Sequence, residues 1–293
     1  MTVLEVIQKS TEFLTRKGVE SPRLQTELLL AQVLKLPRMK LYLNFERALS
    51  AAETDSVREL VRRRSLREPL QHILGTAPFG EWEMLVNRQV LVPRPETELL
   101  AEAGWTFLAG LKPHDSIPTT ALDFGTGSGC LAIALAAKCP LARITALDIS
   151  ADALVIARQN AERNGVAERI EFILSDGFAG LPGGQRFDLI ISNPPYIPSA
   201  DIAGLQPEVR DFDPRGALDG GTDGLDFYRR IATEAGDWLK PGGKLMVEFG
   251  DGQSPALKEL FEAQKWIVEA IRADYSQHER ILVARGAAAL RGD

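Results

Sequence analysis

The chain has 293 residues, 45% apolar and 25% charged, with a formal net charge of −6. That length suits a small domain beside a larger one, and the composition is that of an ordinary globular protein, not of a disordered or collagen-like chain. No apolar stretch reaches the ~18 residues needed to span a bilayer, and Met1-Thr2-Val3-Leu4-Glu5 lacks the basic-then-apolar pattern of a secretion signal, so a cytoplasmic location is expected.

The charge is unevenly divided. Residues 1–75 carry a net of +4 and residues 76–293 a net of −10. An acidic second part repels phosphate backbones unless a local patch compensates, so direct DNA binding is not expected. Cys130 and Cys139 sit nine residues apart in one predicted helix and read as buried apolar thiols. His72, His114 and His278 show no ligand spacing, so no metal site is expected.

Residues 1–75 read as a helical domain. Ser21 is placed as an N-cap before Pro22, with Leu24, Leu28, Leu29, Ala31 and Leu34 on one face and a stop at Pro37. A later helix begins near Ser50–Asp55 and carries Val57, Leu60, Val61 and Leu66. Its other face holds Arg58, Arg62, Arg63, Arg64 and Arg67. That set is either a solvated face or a contact with a negatively charged partner, protein or RNA. Residues 76–115 read as a hairpin and linker: Trp82, Met84, Val86, Val90 and Val92 alternate with polar residues, Glu96–Leu108 is helical, and Lys112–Thr120 is a loop.

From residue 116 onward, strands and helices alternate. Expected strands are Ala121–Phe124, Ile144–Asp148, Ile170–Leu174, Leu189–Asn193, Lys244–Phe249, Ile267–Ile271 and Ile281–Ala284. Helices are expected near Gly129–Ala137, Ala151–Asn164, Leu225–Leu239 and Ser254–Gln264. This is an α/β fold of Rossmann type, a mostly parallel seven-stranded sheet, which binds ligands beyond the carboxyl ends of its strands.

The chemically suggestive residues sit at those ends. Asp123, Gly125, Thr126, Gly127, Ser128 and Gly129 form a glycine-rich turn between strand and helix. Its G-x-G-x-G spacing differs from the G-x-G-x-x-G of pyrophosphate binders, and the acid before it favours a cationic group. Asp148 ends the second strand, placed either to accept from two ribose hydroxyls or to lead a helix capped by Ser150. Asp176, after the third strand, is a candidate for an adenine amine. A ligand with ribose, adenine and positive charge but no phosphate fits, which is S-adenosylmethionine. Asn193-Pro194-Pro195-Tyr196 closes the fourth strand. Proline cannot extend a hydrogen-bond ladder, so the chain stops there and offers acceptors with few donors. That suits gripping a planar N–H₂ group.

Asn-Pro-Pro-Tyr in this position resembles methyltransferases acting on amide or amine nitrogens conjugated to a π system, on nucleic acid or on protein. Pro69-Leu70-Gln71-His72-Ile73-Leu74-Gly75, Val92-Pro93-Arg94-Pro95-Glu96-Thr97-Glu98, Pro207-Glu208-Val209, Ala217-Leu218-Asp219-Gly220-Gly221 and Glu279-Arg280 resemble the glutamine methyltransferases of peptide chain release factors. The resemblance covers nearly the whole chain. A related family acting on a ribosomal protein typically has Ser-Pro where Pro95-Glu96 stands. The resemblance implies class-1 release factors as partners, transfer to glutamine N5 and S-adenosylhomocysteine as product. It further implies amide binding by Asn193, Pro194, Pro195 and Tyr196, a substrate mouth shaped by Arg94 and Glu96, and a monomer. Phe124 replaces a common Leu, Gly177 stands where many relatives carry a larger residue, and Asp213 stands where Glu is usual. Phe178 is then a candidate to cover the adenine with Gly177. Alternatives are methylation of a ribosomal protein, adenine-N6 methylation of nucleic acid, or a scaffold without catalysis.

Overall fold

The computed structural model describes residues 1–111 and 118–286. His114 and most of the Lys112–Thr120 loop lie outside the described residues. The chain divides into two compact units, Met1–Thr76 with Gln206–Phe212, and Ala77–Leu205 with Asp213–Asp293. The return of Gln206–Phe212 to the first unit has no counterpart in the sequence reading.

The first unit contains helices α1 (Val3–Arg16), α2 (Pro22–Leu34), α3 (Ala51–Ser65) and α4 (Leu70–Leu74) and a 3₁₀ turn at Arg38–Leu43. Capping boxes start α1 (Thr2 with Glu5) and α3 (Ser50 with Glu53), each satisfying otherwise orphaned N–H groups. Val3, Ile7, Leu14, Leu29, Leu30, Leu41, Val57 and Val61 build its core. Two expectations fail on α2. Ser21 makes no side-chain cap, having entered the left-handed region at φ 45°. Leu24 is exposed, while Glu27 is buried. Arg23, Arg38 and Tyr42 all bond the Glu27 carboxylate, and this paired charge takes the place an apolar residue was expected to fill.

The arginines of and after α3 are internally paired. Arg58 meets Asp55, Arg62 meets Glu59 and Arg63 meets Glu68. Arg64, 4% exposed, bonds Gln25, the Glu68 carbonyl and Glu208, and Arg67 takes the other oxygen of Glu208. Glu208 lies on α8 (Pro207–Arg210), so the carboxylate fixes the returning segment to the helices. Arg64 is therefore not part of a solvated face.

In the second unit, hairpin strands β1 (Thr76–Phe79) and β2 (Trp82–Leu85) precede α5 (Pro95–Gly110). Strand alternation ends at Leu85. Val86, Val90 and Val92 are buried but lie on irregular chain, because apolar burial alone does not require a ladder. The seven-stranded sheet comprises β3 (Thr120–Phe124), β4 (Arg143–Asp148), β5 (Ile170–Leu174), β6 (Phe187–Ser192), β7 (Leu239–Glu248), β8 (Trp266–Ala273) and β9 (Glu279–Gly286). Their order is β5-β4-β3-β6-β7-β9-β8, with only β9 antiparallel to its neighbours. Helices α6 (Cys130–Lys138), α7 (Ala151–Arg163), α9 (Asp226–Glu234) and α10 (Ser254–Ala263) join the strands. Strand order reverses between β3 and β6, which opens a crevice beyond their carboxyl ends.

Asn160 of α7, fully buried, ties the hairpin to the glycine turn. Its Oδ1 accepts from Leu85 N (2.6 Å), and its Nδ2 donates to Leu85 O (3.0 Å) and Ser128 O (2.9 Å). Removing it orphans three backbone groups, one on buried Ser128 and two on half-buried Leu85. Asn160→Ala should lower the unfolding free energy by about 3 kcal/mol, read as a lower urea midpoint at unchanged slope.

Candidate active site

The turn after β3 is set by three glycines. Gly125, Gly127 and Gly129 have φ of +75°, +54° and +84°, in the left-handed region that a side chain disfavours. A Cβ at Gly129 would also approach Ala157 Cβ to 3.1 Å, so this glycine lets α7 lie close beneath. Gly125 N and Thr126 N both donate to Leu147 O, and Gly127 N donates to Asp148 Oδ2 (2.8 Å). The other Asp148 oxygen accepts from Ser150 N (2.9 Å), while Ser150 caps α7 through Ala153 N. Ser150 thus caps the helix, and Asp148 braces the turn and lines the crevice.

An open cavity of about 420 Å³ occupies the crevice, within the size range of ordinary small-molecule sites. Gly125, Thr126, Gly127, Ser128, Asp148, Asp176, Gly177, Asn193, Pro194, Pro195 and Arg94 all line it. The structure thus brings eleven of the sequence-selected residues to one cavity. Five others stand elsewhere, Gly129 being the packing point for α7. Asp123 is fully buried under the turn, where its Oδ2 accepts from Thr126 Oγ1 (2.6 Å) and Ala132 N (3.1 Å) and its Oδ1 has no partner. Phe178 is in the core, 4.8 Å from the Phe124 ring and stacked on Trp238, so it does not cover the cavity. Glu96 lies in the first turn of α5 away from the cavity, and Thr97 lines it instead. Tyr196 turns its ring toward Gly250 and the core, with its carbonyl held by Gln253 Nε2 (2.9 Å).

Three residues escaped the sequence reading. Arg230 of α9 forms an ion pair with Asp176 and donates to its carbonyl. A Cβ at Gly177 would run into the Arg230 guanidinium, so the arginine occupies the room that the small residue leaves. The signal was Gly177 itself: a void on a cavity wall has to be filled by something. Thr97 and Glu248 are the other two. Asn193 Nδ2 donates to Thr97 Oγ1 (3.0 Å), and Glu248 ends β7 next to it. Glu248 follows the same strand-end rule that singled out Asp148 and Asp176.

The buried acids have perturbed ionisation. Burial pushes the Asp123 carboxyl up to about 7 despite the Thr126 and Ala132 hydrogen bonds. Burial likewise raises Glu248 to about 7, and Asp213 to about 6 although Arg94 bonds it at 2.8 Å. Tyr196 is pushed up to about 12, chiefly by burial.

Fold and site together define a class I methyltransferase, with its sheet order, a glycine turn at the switch point and Asn-Pro-Pro-Tyr following the adjoining strand. Residues 5–75 match the PrmC N-terminal domain family, and residues 103–204 match the methyltransferase small domain family. The "Release factor glutamine methyltransferase" of Geobacter sulfurreducens is 46% identical over 260 residues, covering 89% of this chain and 88% of that one. Its namesake from Chlorobaculum tepidum is 44% identical, covering 95% of each. The hMettl16 catalytic domain solved with MAT2A 3'UTR hairpin 6 superposes with a TM-score of 0.53 at 16% identity, covering 78% of this chain and 82% of that one, a likeness of fold alone. The chain belongs to the release factor glutamine methyltransferase family.

Asp123 yields a pH test. Its folded pKa lies above the unfolded carboxylate value, so the native state binds more protons between about 4 and 7 and stability falls as pH rises through that window. Asp123→Asn should reduce the slope of this part of the stability–pH curve, to which Glu248 and Asp213 also contribute, measured as the urea midpoint at steps from pH 4.5 to 8. A slope unchanged from the parent protein rules the assignment out.

Proposed function

We infer that this chain transfers a methyl group from S-adenosylmethionine to the side-chain nitrogen N5 of the glutamine in the Gly-Gly-Gln loop of class-1 peptide chain release factors. One observation carries the reading. Asn193 stands on the cavity wall, gives Nδ2 to Thr97, and so offers Oδ1 as an acceptor beside the Pro194 carbonyl.

The residues present suit that cofactor. Asp148 retains acceptor capacity beyond its two backbone bonds, which suits ribose hydroxyls. Ile149 and Phe227 add apolar wall, and the Arg230 guanidinium over Gly177 offers a planar face for the adenine. No Lys lines the cavity, and the glycine spacing is not that of a pyrophosphate binder. Bound there, S-adenosylmethionine supplies an electrophilic methyl group on a sulfonium, with S-adenosylhomocysteine as product.

A primary amide nitrogen is a weak nucleophile because its lone pair is delocalised into the carbonyl. Asn193 Oδ1 and the Pro194 carbonyl accept its two N–H bonds, fix the nitrogen in line with the methyl carbon, and favour the electron density it needs as the bond forms. Pro194 and Pro195 carry no N–H, so no donor there competes for the substrate. The amide proton, acidified as N–C bonding proceeds, leaves to water. Arg94, held by Asp213, shapes the mouth.

In this reading residues 1–75 recognise the release factor, residues 76–115 connect, and residues 116–293 carry out transfer, as a cytoplasmic monomer. Adenine methylation of nucleic acid has less support, because the α3 arginines are each matched by a carboxylate. Among the described residues no helix is long and apolar enough to cross a membrane.

Asn193→Ala should lower methylation of purified release factor, followed by mass spectrometry, by ~100-fold, about 2.7 kcal/mol in barrier. Calorimetric S-adenosylmethionine affinity should stay within about threefold. Activity surviving within about tenfold, ~1.4 kcal/mol, removes the acceptor role.

A further inference from the structure

The acceptor role of Asn193 raises a problem of orientation. A carboxamide presents an acceptor on one side and a donor on the other, and the two are nearly the same shape. With Nδ2 toward the substrate, Asn193 would meet an N–H₂ group with its own N–H₂. Thr97 alone does not settle the matter, because a hydroxyl both donates and accepts and would serve either orientation.

Glu248 settles it. Parallel pairing of β6 and β7 sets Ser192 opposite Val247, which puts Asn193 and Glu248 side by side where the two strands end. Glu248 is 2% exposed, as is Thr97, which enters from the first turn of α5. Asn193 Nδ2 donates to Thr97 Oγ1 at 3.0 Å, and both side chains stand close enough to the Glu248 carboxyl to favour its charged form. An ionised carboxylate only accepts. A buried carboxylate at this place attracts the Thr97 hydroxyl proton, which leaves the lone pairs of Thr97 for Asn193. It also draws the Asn193 N–H₂ inward and repels Oδ1, so Oδ1 is the part of the amide turned to the cavity. The strand end is itself pinned, since Tyr228 Oη donates to the Glu248 carbonyl at 2.7 Å. Among the described residues Glu248 Oε2 has no hydrogen-bond partner.

We propose that Glu248 and Thr97 are positioning residues for methyl transfer, a directional relay that locks the Asn193 carboxamide with its oxygen toward the substrate nitrogen. The proposal rests on the acceptor reading of Asn193 given above. Neither residue touches the reacting atoms; they act through Asn193. The relay needs the carboxylate form, because a protonated Glu248 can donate to Thr97 and free the amide to turn over. The charged and titratable groups around Glu248 are Glu96 of α5, Cys130 of α6, Tyr196 after β6, Tyr228 of α9 and Arg280 of β9. Burial raises the pKa values of both tyrosines and the cysteine, and it raises that of Glu248 to about 7.

The test is a mutant cycle on the full-length protein with intact release factor and S-adenosylmethionine. Glu248→Gln and Thr97→Val should each reduce kcat at least about tenfold, with little change in KM for release factor and in calorimetric cofactor affinity. Thr97→Ser, which keeps the hydroxyl, should restore most of the rate. The rising limb of the parental kcat–pH profile near pH 7 should vanish in Glu248→Gln. Combined with Asn193→Ala, either change should cost nothing further, because its route to the reaction has already gone. Additive losses in that background, a Thr97→Val enzyme with parental kcat, or a Thr97→Ser enzyme no better than Thr97→Val, overturn the proposal. If Glu248→Gln does not fold, the threonine pair and its cycle decide alone. An Asn193→Ala enzyme that keeps its activity would instead defeat the acceptor reading itself.

Discussion

Strand β6 lies parallel between β3 and β7, with Ile191 opposite Asp123 and Ser192 opposite Val247. This register decides what meets in the crevice. A slip of one residue would turn every β6 side chain to the other face of the sheet, sending Asn193 away from the turn that it faces. The register is held by more than the ladder. The Ser192 hydroxyl, fully buried, donates to Phe124 O at 2.6 Å, tying the last residue of β6 to the last residue of β3. Asp188 at the opposite end of β6 accepts from Thr120 N and from Lys240, so the strand is gripped at both ends. The glycine turn and Asn-Pro-Pro-Tyr are thereby held at a fixed separation by backbone geometry, and loop motion does not have to bring them together.

Once that separation is set, the division of labour between the two strand ends follows from their chemistry. The β3 end gives up side-chain volume: three glycines in left-handed conformation keep the backbone accessible, and the neighbouring Asp148 is oriented by two main-chain amides. The β6 end gives up donors, since two consecutive prolines carry no N–H. One wall therefore leaves the backbone open beside a carboxylate, and the other offers acceptors without donors. In the proposed reaction this asymmetry favours one orientation of the substrate amide, because a wall offering both donors and acceptors would bind it either way round.

Most of this arrangement is legible in the sequence, because it lies at the ends of strands. Apolar runs locate β3 to β7, and a polar residue or proline marks where each strand stops. Phe178 shows the limit of that reading. An aromatic beside a strand-end acid reads equally well as a ligand cover or as core, and only tertiary packing against Phe124 and Trp238 decides for core. Arg230 is 53 positions beyond Gly177, and nothing local links the two. The α2 face misled for a related reason: periodicity counts apolar positions, whereas Glu27 is buried through charges supplied by Arg23 and by the separate Arg38–Leu43 turn. The hairpin was read too long because Val86, Val90 and Val92 are buried without pairing, and period-two patterning registers burial alone.

Three buried carboxyls, Asp123, Asp213 and Glu248, stand behind residues that line the cavity, and burial raises all three toward neutrality. Each also has an oxygen without a hydrogen-bond partner. Apolar side chains of similar size would remove that desolvation penalty, so these acids are not explained by stability. Their placement explains them better. Asp123 closes the glycine turn from below through Thr126 and Ala132, Asp213 holds Arg94 at the mouth, and Glu248 sits behind Asn193. Each carboxyl stands behind one component of the cavity wall. A hydrogen bond inside a low-dielectric region is stronger and more directional than one in water, which makes a buried acid an effective brace for a side chain or turn that has to keep one orientation.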